Sequence, residues 1–156
     1  MPDVATSVRV ALGTDRIWVG EQAARLARSV GLDAAAAREL AIAVSELVTN
    51  AVKFAGGGRV TMTPLTGPTP GVEVTVDDDG PGFADPSGAV VDGYSEGRVR
   101  SPDEPWSKRR GMGVGLGGVM RLTDELVISN RPEGGARVVV RKRQGASRRS
   151  GTGLDR

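Results

Sequence analysis

Three groups of residues in this chain have the types and spacing to do chemistry. The first is Glu46-Leu47-Val48-Thr49-Asn50. Glu46 and Asn50 are one helical turn apart, so on a helix they share a face, and Lys53 roughly continues it. A carboxamide oxygen is a hard ligand that suits a cation such as Mg²⁺. A carboxylate one turn away can hold a water or a hydroxyl as general base. The same spacing also serves an ordinary solvated Glu–Asn pair on an amphipathic helix. The second group is Asp78-Asp79-Gly80-Pro81-Gly82, directly after the apolar run Val72–Val76. An acid there can accept a hydrogen bond from the exocyclic amine of a base. Gly80 and Gly82 would let backbone approach a planar ring. A plain acidic turn or a weak cation loop would look similar. The third group is Gly111-Met112-Gly113-Val114-Gly115-Leu116-Gly117-Gly118. Glycines ahead of a helix expose backbone N–H groups, and the helix N-terminus adds positive potential, which makes a phosphate cradle. The Gly-Lys-Ser/Thr ending of a Walker A loop is missing, and no βαβ unit surrounds the run. A flexible hinge is the alternative. Lys108, Arg109 and Arg110 precede it, within reach of phosphates or as a solvated charge run.

Composition limits what else the chain could do. It has 156 residues, which suits one domain, and neither cysteine nor histidine. That excludes a disulfide framework, a thiolate metal site and a phospho-accepting histidine. Acid–base work falls to carboxylates, Lys or Tyr. With 21 basic and 19 acidic residues the net charge is only +2, little basis for nucleic-acid binding. The apolar runs are too short to cross a bilayer. The first ten residues lack the pattern of a secretion signal, so a cytoplasmic location is expected.

Elements that could position these groups follow from periodicity and breakers. Val4–Leu12 alternates and reads as a strand. Gly13-Thr14-Asp15 is a turn with helix-capping residues. Ile17–Val30 has helical spacing through Trp18, Ala23, Leu26 and Val30, closed by Gly31. Asp33 caps a long helix reaching about Ala55, with Leu40, Val44, Leu47, Val48 and Ala51 as its stripe. Gly56-Gly57-Gly58 stops it. Strands at Arg59–Thr63 and Val72–Val76 flank the turn 66–71. Residues 83–110 read as a long lid with one short helix near Ser87–Asp92. A helix follows Gly111–Gly118 to about Asp124. A final hairpin pairs Leu126–Ser129 with Ala136–Arg141. This order predicts an α+β, two-layer sandwich with helices on one face of a mostly antiparallel sheet. The domain spans 1–143, and 144–156 reads as a disordered basic tail.

The ordered set resembles the GHKL ATPases, which include histidine kinases, DNA gyrase, certain heat-shock chaperones and the anti-sigma-factor serine kinases. Glu46 and Asn50 match their N box. Asp78, Gly80 and Gly82 match the G1 box, and Gly111, Gly113 and Gly115 the G2 box. The resemblance covers about Val8 to Lys142 and implies the Bergerat fold with ATP and Mg²⁺ as cofactors. It implies that Glu46 is the catalytic base, Asn50 the metal ligand and Asp78 the reader of adenine. It also implies that the G2 residues Gly111 to Leu116 bind phosphates beneath the lid, with Lys53, Lys108 and Arg110 nearby. Within the family, Gly115–Glu125 is most similar to the RsbT-type switch kinases of the stressosome, and Asp92-Gly93-Tyr94-Ser95 fits them. That implies transfer of phosphate to a serine or threonine of a STAS-domain protein, a stressosome scaffold or an anti-anti-sigma factor. A downstream phosphatase is a further implied partner. The alternative is an anti-sigma factor that sequesters a sigma factor and phosphorylates its antagonist. Two departures stand out. Ala136 occupies a place where the family has Ser or Thr, whose hydroxyl helps hold adenine. One such bond is worth about 0.5–1.5 kcal/mol. The lid is also longer, with 98–109 as the insertion.

Overall fold

The computed structural model describes residues 4–84, 86, 94–95, 98–99 and 115–145. The elements are β1 (Thr6–Val10), α1 (Asp15–Ser29), α2 (Ala34–Ala55), β2 (Gly58–Leu65), β3 (Gly71–Asp77), β4 (Tyr94–Ser95), β5 (Arg98–Val99), α3 (Gly115–Leu122), β6 (Glu125–Asn130) and β7 (Ala136–Arg143). The sheet runs β1-β2-β3-β7-β6 with every neighbouring pair antiparallel. β4 and β5 form a two-residue hairpin inside the segment expected to be the lid. The short helix expected near Ser87–Asp92 lies outside the described residues.

Strand alternation sorts the side chains into two unlike faces. The register aligns Val8, Val60, Val76, Val138 and Ile128 in one row, and Thr6, Met62, Val74, Val140 and Leu126 in the next. Against these rows α2 buries Leu40, Val44, Leu47, Val48 and Ala51, while α1 buries Val19, Ala23 and Ala27. Each fully buried Leu or Val contributes about 1.5–3 kcal/mol. The opposite face of the sheet is polar. There Arg137 grips Asp77 with two hydrogen bonds of 2.7 and 3.0 Å. Arg141 bridges Glu73 at 2.8 Å and Glu125 at 2.7 Å. Among the described residues helices therefore cover only one side of the sheet, as expected for the two-layer sandwich.

Caps set the helix ends. Asp33 accepts the Ala36 N–H at 2.8 Å and opens α2. Gly56, at φ +72°, closes it by donating to Val52 O, and Gly57 donates to Ala51 O. α1 crosses α2 closely, because a Cβ on Gly20 would stand 3.1 Å from the Ala41 carbonyl oxygen. Two local expectations for α1 are corrected. Thr14 makes no side-chain cap. Instead Asp15 Oδ2 accepts the Ala11 and Leu12 N–H groups. Trp18 does not join the apolar stripe; it is 40% exposed and donates its indole N–H to Asp15, leaving Val19 to face the core. The reason is reach: the short Asp15 side chain holds the indole outward one turn along.

One buried charge ties the layers together. Lys142 is 1% exposed and lies in the core-facing row with Val72 and Pro64. Its ammonium donates to Glu39 Oε2 and to Leu122 O, both at 2.8 Å. It thus joins β7 to α2 and to the C-terminal carbonyl of α3. Further on, Gln144 donates its N–H to Pro70 O at 2.9 Å, so the residue expected to begin the tail still pairs with the sheet's end. Lys142→Ala is expected to cost about 3 kcal/mol, because it strips Glu39 and the α3 carbonyl of their partner and opens a cavity. Lys142→Met is expected to cost less, since it loses the same partners but keeps the volume. Urea unfolding of both variants checks the ranking.

Candidate functional site

α2 supplies the first part of the site. Glu46 is only 7% exposed, whereas Asn50, one turn on, is half-buried. Among the described residues no hydrogen bond reaches the Glu46 carboxylate. Burial pushes its pKa above the ordinary 4.5, opposed by the positive charges of Arg16 and Lys53. Lys53 itself is exposed, with its ammonium 5.9 Å from the centroid of the Phe54 ring. Glu46 and Asn50 thus share a face, as their spacing requires. The environment of Glu46 favours the protonated acid more than an ordinary glutamate does.

The second part is the turn that leaves β3. The Asp78 N–H donates to Ala136 O at 3.0 Å, and the Ala136 N–H donates back to Asp78 Oδ1 at 3.2 Å. The Gly80 N–H donates to the same Oδ1 at 2.9 Å. Both bonds fall on one carboxylate oxygen. Among the described residues Oδ2 accepts none, so it can accept a hydrogen bond from an incoming amine. Two glycines are demanded here. A Cβ on Gly80 would stand 2.6 Å from Ala55 Cβ, so the turn rests against the end of α2. Gly82 has φ +78°, and its Cβ would stand 2.7 Å from Asn130 Oδ1.

The β6–β7 hairpin locks this turn, which the sequence analysis did not anticipate. Asn130 pairs its side-chain amide with the backbone of Phe83: Oδ1 accepts the N–H and Nδ2 donates to the carbonyl, each at 2.8 Å. Arg131 Nη1 donates to Asp78 O at 2.7 Å and to Asp79 Oδ1 at 2.9 Å. Asn130 ends β6 and Arg131 follows it, and nothing local marks them, because their partners are about fifty residues back along the chain. Ala136 is buried beside Asp78, where a hydroxyl was expected to help hold a base. Its backbone takes part in holding the aspartate; its methyl adds no polar contact.

The third part is only partly described. Gly115 opens α3 at φ +59° and is exposed, while Leu116 is half-buried against the core. Gly117, Gly118 and Val119 are buried. Lys108, Arg109, Arg110, Gly111, Met112, Gly113 and Val114 lie outside the described residues. The arrangement offers a carboxylate oxygen aimed by backbone, a hard amide ligand next to a desolvated acid, and a glycine-led helix start. Those parts fit an adenine nucleotide with a divalent cation. The glycine contacts at Gly80 and Gly82 leave no room for side chains, and Asn50 is an oxygen donor of the kind Mg²⁺ accepts.

Comparisons with known proteins bear on the domain as a whole. The histidine kinase-like ATPase domain family matches residues 17–142. The chain belongs to that family. Like the family, it is therefore an ATP-binding domain of the kinase or ATPase kind. The serine/threonine-protein kinase RsbT of Bacillus subtilis (strain 168) is 26% identical over 124 residues, covering 79% of this chain and 84% of the relative. The mycobacterial sensor histidine kinase MprB shares the fold, with a TM-score of 0.52 at 21% identity, covering 88% of this chain and 97% of the other. Among the described residues no helix is long and apolar enough to cross a membrane.

Two outcomes check the site's construction. Gly80→Ala should be destabilised by about 1–3 kcal/mol through overpacking on Ala55. Adding Ala55→Gly should recover part of that loss in a double-mutant cycle of urea midpoints. The raised pKa of Glu46 means its ionisation is disfavoured in the folded state. Stability is then unaffected by this group below about pH 4.5 and falls as pH rises through the folded pKa. Glu46→Gln should therefore melt at a higher temperature than the parent at pH 7, with the gap closing toward pH 4.

Proposed function

We propose that this chain is an ATP-dependent protein serine/threonine kinase that phosphorylates a STAS-domain partner in a bacterial stress-response switch. The observation that carries the nucleotide half is the Asp78 carboxylate, aimed by the N–H groups of Gly80 and Ala136 with its second oxygen left for a ligand. Family membership and the similarity to RsbT support the kinase half. The STAS partner rests on the resemblance around Gly115–Glu125. A cytoplasmic location belongs to the same reading.

In this reading Asp78 accepts the exocyclic amine of adenine, and Gly80 and Gly82 let the turn approach the ring. Asn50 binds Mg²⁺ through its amide oxygen. Bound Mg-ATP supplies the phosphoryl group and the cation that neutralises its charge. The backbone N–H groups of Gly111, Met112, Gly113, Val114, Gly115 and Leu116 hold the phosphates, with Lys53, Lys108 and Arg110 contributing positive charge. Glu46 orients the partner's hydroxyl and takes its proton. Desolvation raises the basicity of Glu46, which suits a general base working near neutral pH. Most of the rate then comes from positioning and electrostatics.

The test is transfer of labelled phosphate from Mg-ATP to a cognate STAS protein, with nucleotide affinity measured in parallel. Glu46→Ala should lose transfer while keeping nucleotide binding. Asp78→Asn should weaken adenine nucleotides by about one to two decades, because a hydrogen bond to a charged group is worth about 1.5–3 kcal/mol. Undiminished transfer by Glu46→Ala would remove that residue from the role of base. A sigma factor as the main partner in a pull-down would turn the reading to an anti-sigma factor.

A further inference from the structure

α1 buries a stripe made of Val19, Gly20, Ala23, Ala24 and Ala27. Arg16 lies one turn ahead of Gly20 and continues that stripe. It is half-buried and is the stripe's only charge. A cation in such a place is costly without a partner, yet among the described residues no hydrogen bond or ion pair reaches its guanidinium. What it faces follows from the helix crossing. α1 and α2 are joined by the short connection 30–33 and pack as an antiparallel hairpin. A Cβ on Gly20 would stand 3.1 Å from the Ala41 carbonyl oxygen, which sets these two turns against each other. One turn back on α1 is Arg16, and one turn on along α2 is Ser45-Glu46. The crossing therefore brings Arg16 level with Glu46.

We infer that Arg16 is a positioning residue for phosphoryl transfer, which supplies from α1 the fixed counter-charge for the buried Glu46 carboxylate. The inference rests on the reading of Glu46 as the base. In that step the acceptor oxygen bonds the γ-phosphorus, its proton passes to Glu46, and the bond from that phosphorus to the ADP oxygen breaks. Desolvation alone favours a neutral acid, which has no lone charge to take the proton. A cation nearby restores the charged form. Because no hydrogen bond or ion pair joins Arg16 to Glu46 among the described residues, the carboxylate oxygens stay open to the acceptor. Burial raises the Glu46 pKa, and of the two cations that oppose it Arg16 acts ahead of Lys53. Lys53 is exposed on α2 itself, with its ammonium 5.9 Å from the Phe54 ring centroid. Arg16 belongs to none of the motifs around Glu46, Asp78 and Gly111; only the close approach of α1 at Gly20 brings it to the site.

Turnover of Mg-ATP by the full chain tests this, once with a STAS protein as acceptor and once with water, with ATP affinity measured by calorimetry alongside. Arg16→Gln should lower kcat roughly ten-fold and leave KM and Kd for ATP within about two-fold. Arg16→Lys keeps the charge and should recover most of that loss. In a Glu46→Gln background Arg16→Gln should have no further effect on kcat, because the group it serves is gone. Melting at pH 7 gives a readout that needs no turnover. There Glu46→Gln should raise the midpoint more in an Arg16→Gln background than in the parent, since the buried carboxylate has lost its counter-charge. Equal losses from Arg16→Gln and Arg16→Lys overturn the inference, as do additive losses in the double variant. A weakened ATP affinity with kcat intact, or the same melting gain in both backgrounds, overturns it too. Loss of transfer to the STAS protein with hydrolysis intact removes the partner instead, and Arg16 is then judged on hydrolysis. A parent that binds ATP and turns it over with neither acceptor removes Glu46 as base and Arg16 with it.

Discussion

Where β3 ends and β7 begins, the Asp78 N–H donates to the Ala136 carbonyl and the Ala136 N–H donates back to the Asp78 side chain. Much of the candidate site is arranged around this junction. It stops the β3–β7 ladder at Asp77. It turns the chain so that Gly80 lands on the last turn of α2, the helix that presents Glu46 and Asn50. It also fixes which oxygen of Asp78 is occupied by protein and which is left for a ligand. Gly135, at φ +85°, permits the approach, since a Cβ there would overlap the Asp78 carbonyl.

Around this junction the protein separates two kinds of polar group. Charges on the open sheet face are paired across strands in water, as Arg137 with Asp77 and Arg141 with Glu73, and each exposed pair adds little to stability. Among the described residues two ionisable side chains are buried and behave differently. Lys142 has a carboxylate and a carbonyl as acceptors, so its burial is compensated and it joins three elements. Glu46 has no hydrogen-bond partner among the described residues, and burial pushes its pKa up against the positive charges of Arg16 and Lys53. The fold thus satisfies one buried charge and leaves another under-satisfied on the helix beside Asn50, a contrast of the kind found at functional sites.

The hairpin clamp adds a constraint on the turn after β3. Asn130 holds both backbone groups of Phe83, and Arg131 holds the Asp78 carbonyl, so the turn is gripped on either side of Gly80. Phe83 packs against the core from the same place. The position of Asp78 thus depends on β6 and β7 as much as on its own strand.

Local rules reached far into this protein. The cap at Asp33 and the glycine stop at Gly56 bound α2 where propensity places them, and the 3.6-residue period put Glu46 and Asn50 on one face. Alternation of valines located β2, β3 and β7 to within two residues, and the order of elements implied the two-layer sandwich. Periodicity misassigned Trp18, because it cannot see that Asp15 competes for the indole. It could not find Asn130, Arg131 or the buried pairing of Lys142 with Glu39, whose partners are far away along the chain. Residue type and spacing thus determined the elements, the faces and the family of chemistry. Which oxygen of Asp78 is left for a ligand and how dry Glu46 is were decided only by tertiary structure, because each depends on non-local packing and on backbone groups that every sequence shares.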